Sequence, residues 1–162
     1  MNASNINNQK LLAFLRMKEH ETKLYQPIAG SFAVVKCSGK YLLCYNTWRK
    51  QWEIPAGQRD GNETAKECAI RELYEETGQV VNDMNFVGLM KVKNNLNGCV
   101  KYNPIYFTEI VQLQSFLEND ETSAIKLWDL TKNIRDIDEV DRHLLERLNR
   151  IEEVKNGALG SL

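Results

Sequence analysis

Residues 57–78 read GQRDGNETAKECAIRELYEETG, opened by Gly57 and closed by Gly78, and the reading of this run decides the fold. Glu63, Glu72, Glu75 and Glu76 stand in it with Arg71. On a helix, positions 72, 75 and 76 are related as i, i+3 and i+4, so their carboxylates share one face. Like charges at that spacing cost a bare helix roughly 0.2–0.5 kcal/mol per pair. A divalent cation reverses the sign of that interaction. Hard oxygen ligands suit Mg²⁺ or Mn²⁺, and Mg²⁺ is usually held by a few carboxylates together with substrate phosphates. The competing reading is a plain acidic helix face in solvent.

Local signals place this run on a helix between strands. Asn62 can cap a helix starting near Glu63, and Ala65, Cys68, Ala69 and Leu73 form the apolar stripe that faces a sheet. Gly78 sits where a C′ glycine belongs. Upstream, the β-branched run ending at Cys37 reads as a strand, Ser38-Gly39 as a turn, and Lys40 to Asn46 as the returning strand. Trp52 to Pro55 is a short extended piece. Downstream, Val80 to Lys93 holds a long or broken strand, Asn94 to Gly98 a hairpin loop, and Val100 to Val111 the partner strand. Pro104 within that partner predicts a bulge or a sheet edge. A loop over Leu113 to Thr122 leads to a strand over Ala124 to Leu130 and an amphipathic helix from Asp136 to about Val154. Residues 1–8 read as a frayed terminus and Gln9 to Glu21 as a short helix, so residues 1–24 form a partly helical N-terminal extension. Residues 25–154 form the main domain and 155–162 a flexible tail.

The bulk numbers set the class. A chain of 162 residues is one domain able to bury a good core, and 43% hydrophobic with 27% charged residues is ordinary for a soluble protein. Its net charge of −1 provides no broad basic field for nucleic acid. Leu11 to Leu15 is too short an apolar run for a signal segment or a membrane span. Cys37, Cys44, Cys68 and Cys99 form no metal-binding spacing and read as small packing residues in a reducing cytoplasm, which is the expected location. His20 and His143 lie apart from the acidic run and are read as non-catalytic.

The acidic run resembles the Nudix box: Gly, five residues, Glu, seven residues, Arg-Glu, an aliphatic residue, any residue, Glu-Glu, any residue, Gly, an aliphatic residue. Gly57, Glu63 and Arg71-Glu72-Leu73-Tyr74-Glu75-Glu76-Thr77-Gly78 match in frame, and Gln79 replaces the final aliphatic residue. The resemblance implies an α/β fold, the Nudix-type α/β/α sandwich with a mixed central sheet. It also implies hydrolysis of a nucleoside diphosphate linked to another group, with Mg²⁺ or Mn²⁺ as cofactor. Carried over by position, Glu72, Glu75 and Glu76 are the metal ligands, Glu63 acts more weakly through water, and the Gly57 carbonyl is a further ligand. Arg71, a turn from both Glu67 and Glu75, orients a carboxylate; the plain alternative is a surface pair worth about 0.3–0.5 kcal/mol.

The general base stays open among Glu76, Glu121, Asp120 and Glu109, with a solvated loop as the ordinary reading of Glu118, Asp120 and Glu121. Phe32, Tyr45, Trp48 and Arg49 are the candidate substrate contacts, since aromatic faces stack on a base and cations neutralise phosphate; Arg59, Lys91 and Tyr102 are lesser ones. The subfamily markers for ADP-ribose, diadenosine polyphosphate, NADH and coenzyme A substrates are absent. A housecleaning enzyme acting on nucleoside triphosphates or small nucleotide conjugates is the leading reading. One alternative is removal of pyrophosphate from RNA 5′ ends along Lys91, Lys93 and Lys101, and another is a non-catalytic nucleotide sensor. The expected partners are therefore a nucleotide-type small molecule, no membrane, and a monomeric or homodimeric chain.

Overall fold

The computed structural model describes residues 8–160, with side chains through residue 152. The run SFAVVKC forms β2 (Ser31–Cys37), which pairs antiparallel with β3 (Lys40–Asn46) and in parallel with β7 (Val100–Ile110). Ala33 and Val35 pack with Ala69 and Leu73 of α1 (Ala65–Thr77), whereas Val34 packs with Val140, Leu144 and Leu145 of α2 (Glu139–Gly160). A strand covered on both faces reads as an unbroken apolar run, which is why no alternation marks β2. Strands β1 (Gln9–Leu15), β6 (Asn85–Asn94), β7, β2, β3 and β4 (Gln51–Glu53) lie in that order. Next to them, β5 (Ala56–Gly57) pairs with β2 and β8 (Thr122–Trp128) with β3. The result is the mixed sheet between helices that the sequence implied.

Several expectations change. Gln9 to Leu15 is a strand rather than a helix: it pairs antiparallel with β6, burying Leu11 while Leu12 stands exposed. Its apolar cluster suits either period, and the open backbone of β6 settles it. Helical character in that stretch is confined to a 3₁₀ segment, Glu19–Leu24. Thr64, not Asn62, caps α1, accepting from the Glu67 N–H while the Glu67 side chain accepts from the Thr64 N–H. The second helix runs to Gly160, so residues 155–160, expected as tail, continue it. Residues 1–7 and 161–162, also expected to be irregular, lie outside the described residues.

Pro104 sits in an interior strand rather than at an edge, opposite Leu89 and just before the β2 ladder opens at Phe32↔Ile105. On that side Tyr102 donates to Pro27 O and accepts from Ala29 N. The missing N–H therefore falls in the gap between that bridge and β2. The expected bulge lies on the partner strand, between Phe86 and Gly88.

Candidate active site

The box helix gathers its acids around one cation. Arg71 donates through Nε and Nη2 to both oxygens of Glu63, at 2.7 and 2.9 Å. Its Nη1 reaches Glu72 at 2.8 Å and Glu75 at 3.0 Å, and Nη2 also reaches the Gln58 carbonyl at 2.9 Å. The planar fork is what permits this many partners. Glu67, expected as a partner, is taken by the cap. Glu63 is pushed down to about 2 by its hydrogen bonds from Arg71, while burial acts against the shift. Gly57 is glycine because the Glu72 carboxylate occupies the space of a side chain there: an added Cβ would lie 2.2 Å from Glu72 Cδ. The Gly57 carbonyl accepts from the Cys68 thiol at 3.2 Å.

One residue further along the helix the environment inverts. Glu76 is 4% exposed, its Oε2 accepts from the Cys44 thiol at 3.5 Å, and its Oε1 is buried with no hydrogen-bond partner. Burial first, then the neighbouring Glu72 and Glu121 carboxylates, push its pKa up to about 10. Glu121 is raised too, by burial and by Glu72, with Arg49 acting the other way. The loop before β8 brings Glu121 here: Thr47 donates to its carbonyl from N at 2.9 Å and from Oγ1 at 3.0 Å, and Thr122 Oγ1 donates to Glu76 O at 2.6 Å. Asn46 Nδ2 donates to the Glu121 carboxylate at 3.3 Å, and Arg49 lies 3.9 Å from the same oxygen.

Among the described residues no three Asp, Glu, His or Cys side chains converge closely enough to enclose a metal ion. Arg71 draws Glu63, Glu72 and Glu75 to itself instead. The residues nevertheless fit a hard cation. Glu76 Oε1 is a buried acceptor without a donor, and crowded carboxylates that hold a proton lose it readily to a metal.

A cavity of about 310 Å³ opens beside these acids, lined by Phe32, Arg49, Glu53, Gly57, Lys101, Asn103, Glu121, Asp138 and Asp141 among others. It gathers Phe32 and Arg49 with Glu121. Trp48 is 66% exposed and not in the lining, and Tyr45 packs edge-on against Trp52. Asp120 and Glu109 do not line it either. Lys101 faces the cavity, whereas Lys91 and Lys93, at alternate cross-strand positions, face the other side of the sheet. The three lysines form no single path.

Several contributors are silent in the sequence. Glu53 accepts both arms of the Arg49 fork, at 2.7 and 2.9 Å, and Gln51 links Glu53 to Asp138 at 2.7 and 3.0 Å. Asp141 accepts from the Ile54 N–H at 2.8 Å, and burial together with Asp138 and Glu53 raises its pKa. Buried polar residues on short strands and at a helix start give no periodic signal. Gln79 carried one, as the residue that breaks the box. Its amide exchanges two bonds with the Gln114 backbone, both 2.8 Å, and the Gln114 amide does the same with Val80 at 3.1 and 3.3 Å. The clasp ties the loop that carries Glu121 to the end of α1. Gly78 seals it: φ is 82°, and an added Cβ would meet Leu117 N and Ser115 O at 2.8 Å.

The NUDIX domain profile matches residues 24–148. The chain belongs to the Nudix family. This Nudix hydrolase is 32% identical over 114 residues to the putative 8-oxo-dGTP diphosphatase YtkD of Bacillus subtilis, covering 67% of this chain and 70% of that protein. It is 35% identical over 66 residues to phosphatase NudJ of Escherichia coli K12, spanning 43% of NudJ, less than half its length, and 40% of this chain. The pyrophosphohydrolase BsRppH of B. subtilis superposes with a TM-score of 0.69 at 20% identity, over 95% of this chain and 97% of that one. A MutT Nudix hydrolase from Burkholderia pseudomallei gives 0.63 at 21% identity, over 75% and 98%. At those identities the two structures establish the fold. No helix among the described residues is long and apolar enough to cross a membrane.

Proposed function

We propose that this Nudix hydrolase cleaves a pyrophosphate bond in a nucleoside triphosphate or another small nucleoside diphosphate derivative, using Mg²⁺ or Mn²⁺. The observation that carries the reading is Glu76: a buried carboxylate raised by its burial and by the charges of Glu72 and Glu121, with one oxygen buried and unpartnered. Such a group is costly to hold without a cation, and a polyphosphate needs one in order to approach acids at all. Glu72, Glu75 and Glu76 would hold the metal, with the Gly57 carbonyl and Glu63 beside them. The bound ion would polarise a phosphate and acidify water. Arg71 keeps Glu63, Glu72 and Glu75 in place. Glu121, raised above the usual carboxylate range and held by Asn46 and Thr47, accepts a proton from the attacking water. Phe32 offers a face to the base, and Arg49 carries positive charge toward the phosphates.

The small nucleotide is preferred to an RNA end because only Lys101 of the three hairpin lysines faces the cavity. The identity to YtkD supports the triphosphate side of this reading. The test is a panel of nucleotides and 5′-triphosphorylated RNA with Mg²⁺ or Mn²⁺, scored for phosphate and pyrophosphate release. Turnover that persists in excess EDTA, or none on any nucleotide, overturns the proposal.

A further inference from the structure

The two acids that the proposed reaction uses most, Glu76 and Glu121, come from different elements, α1 and the loop before β8. Each receives a hydrogen bond from the same strand. Cys44 and Asn46 are two apart on β3, so they project from the same face. The Cys44 thiol is fully buried, with Glu76 Oε2 and the Glu53 carbonyl both 3.5 Å away. Among the described residues it is the one non-acidic side chain that donates to the Glu76 carboxylate. Asn46 is 1% exposed and uses both ends of its amide. Its Oδ1 accepts from the Trp48 and Arg49 N–H groups at 3.0 and 2.8 Å, which fixes the side chain, and its Nδ2 is thereby aimed at Glu121 Oε1, 3.3 Å away.

Neither residue belongs to the box, and a thiol is an unusual partner for a buried carboxylate. An apolar residue at position 44 would remove the donor to Glu76 Oε2. A donor there instead engages Oε2 and leaves Oε1 as the buried, unpartnered oxygen. The geometry points to β3 as the positioning strand of the site: Cys44 sets the orientation of Glu76 for metal binding, and Asn46 sets that of Glu121 for proton acceptance. Both are positioning residues and neither touches substrate. The inference rests on the proposed roles of Glu76 and Glu121.

The experiment measures Mn²⁺ binding to EDTA-stripped protein by the electron paramagnetic resonance of free Mn²⁺, alongside kcat and KM at saturating metal. Cys44→Ala is expected to weaken Mn²⁺ about tenfold, the lower range for loss of a partner behind a metal ligand. KM for the nucleotide is expected to stay at the wild-type value. Cys44→Ser, which keeps a donor, recovers most of the loss. Asn46→Asp keeps the acceptor for Trp48 and Arg49 but removes the donor to Glu121; kcat then falls about tenfold with Mn²⁺ affinity near wild type. Should Cys44→Ala fail to fold, Cys44→Ser against Cys44→Val carries the same comparison. Wild-type Mn²⁺ affinity in Cys44→Ala, or equal losses in the serine and alanine variants, overturns the inference. A Glu76→Gln control separates the two levels. If it binds Mn²⁺ as wild type does, the reading of the site falls as well; if it loses binding while Cys44→Ala keeps it, this inference alone falls.

Discussion

The glutamates of the box are held in two opposite ways, although Glu75 and Glu76 are neighbours on α1. Glu63, Glu72 and Glu75 share the Arg71 guanidinium, and Glu63 is consequently held down to about 2. Glu76 is buried near Glu72 and Glu121, the Cys44 thiol is the one non-acidic side chain donating to it among the described residues, and it is pushed up to about 10. The residue type is the same; the environment decides the charge. A carboxylate that shares an arginine is already compensated, so in the proposed mechanism a metal would draw Glu72 and Glu75 away from Arg71, whereas Glu76 has no cationic side chain donating to it among the described residues. In the proposed mechanism Arg71 orders the first group, and Glu76 is the acid that most needs a cation.

The sharpest way to break this comparison is Glu76→Gln. In the proposed mechanism it costs several powers of ten in kcat while the metal-free fold persists, since a buried acid becomes a neutral amide. A variant with wild-type turnover would remove Glu76 from the reaction. Glu121→Gln follows, with kcat lowered roughly 10²–10⁴-fold, the usual size of a general-base contribution. Titration with Mn²⁺ tells base from ligand: affinity near wild type fits the base, and weakened binding would make Glu121 a ligand.

Arg71→Lys addresses the other group. Lysine keeps the charge but cannot reach Glu63, Glu72 and Glu75 together, and activity is expected to fall about 10–100-fold, as for other partners that orient a ligand. Unchanged kcat would reduce Arg71 to a surface pair.

The smallest effect, and the one that contrasts the groups most directly, is on stability in EDTA. Glu76 keeps its proton from about 4.5 to about 10 only when folded, so the metal-free protein loses stability as pH rises through that window. Glu63 contributes stability above about 4.5 that is lost as pH falls toward about 2. Melting temperature against pH is expected to decline less toward alkali in Glu76→Gln, and less toward acid in Glu63→Gln. Parallel profiles for both variants and wild type would show that the two groups do not differ as described.

How much of this was legible in the chain depends on the range of the interaction. Spacing along one helix indicates which side of α1 is apolar, but the carboxylates expected to face out together divide, Glu75 exposed and Glu76 buried. The stripe of Cys68, Ala69 and Leu73 is buried as its spacing indicated, and Gly78 takes the left-handed conformation that ends a helix. At Gln9–Leu15 the sequence reads as helix and the chain forms a strand, because a five-residue apolar cluster fits both periods. Glu67 was matched to Arg71 by spacing, yet Thr64 claims it through the backbone.

By itself, then, the sequence determined the family, the box helix and the acids upon it, because a motif with fixed spacing encodes local geometry directly. It also determined that the run ending at Cys37 is a strand, since β-branched residues suit an extended backbone. Only the tertiary structure decided which glutamate holds a proton and which an arginine. It alone brought Glu121 across from a distant loop, placed Cys44 and Asn46 beneath the two acids, and turned Gln79 into a clasp. Those outcomes depend on burial and on contacts between segments far apart in the chain, and no spacing rule carries that information.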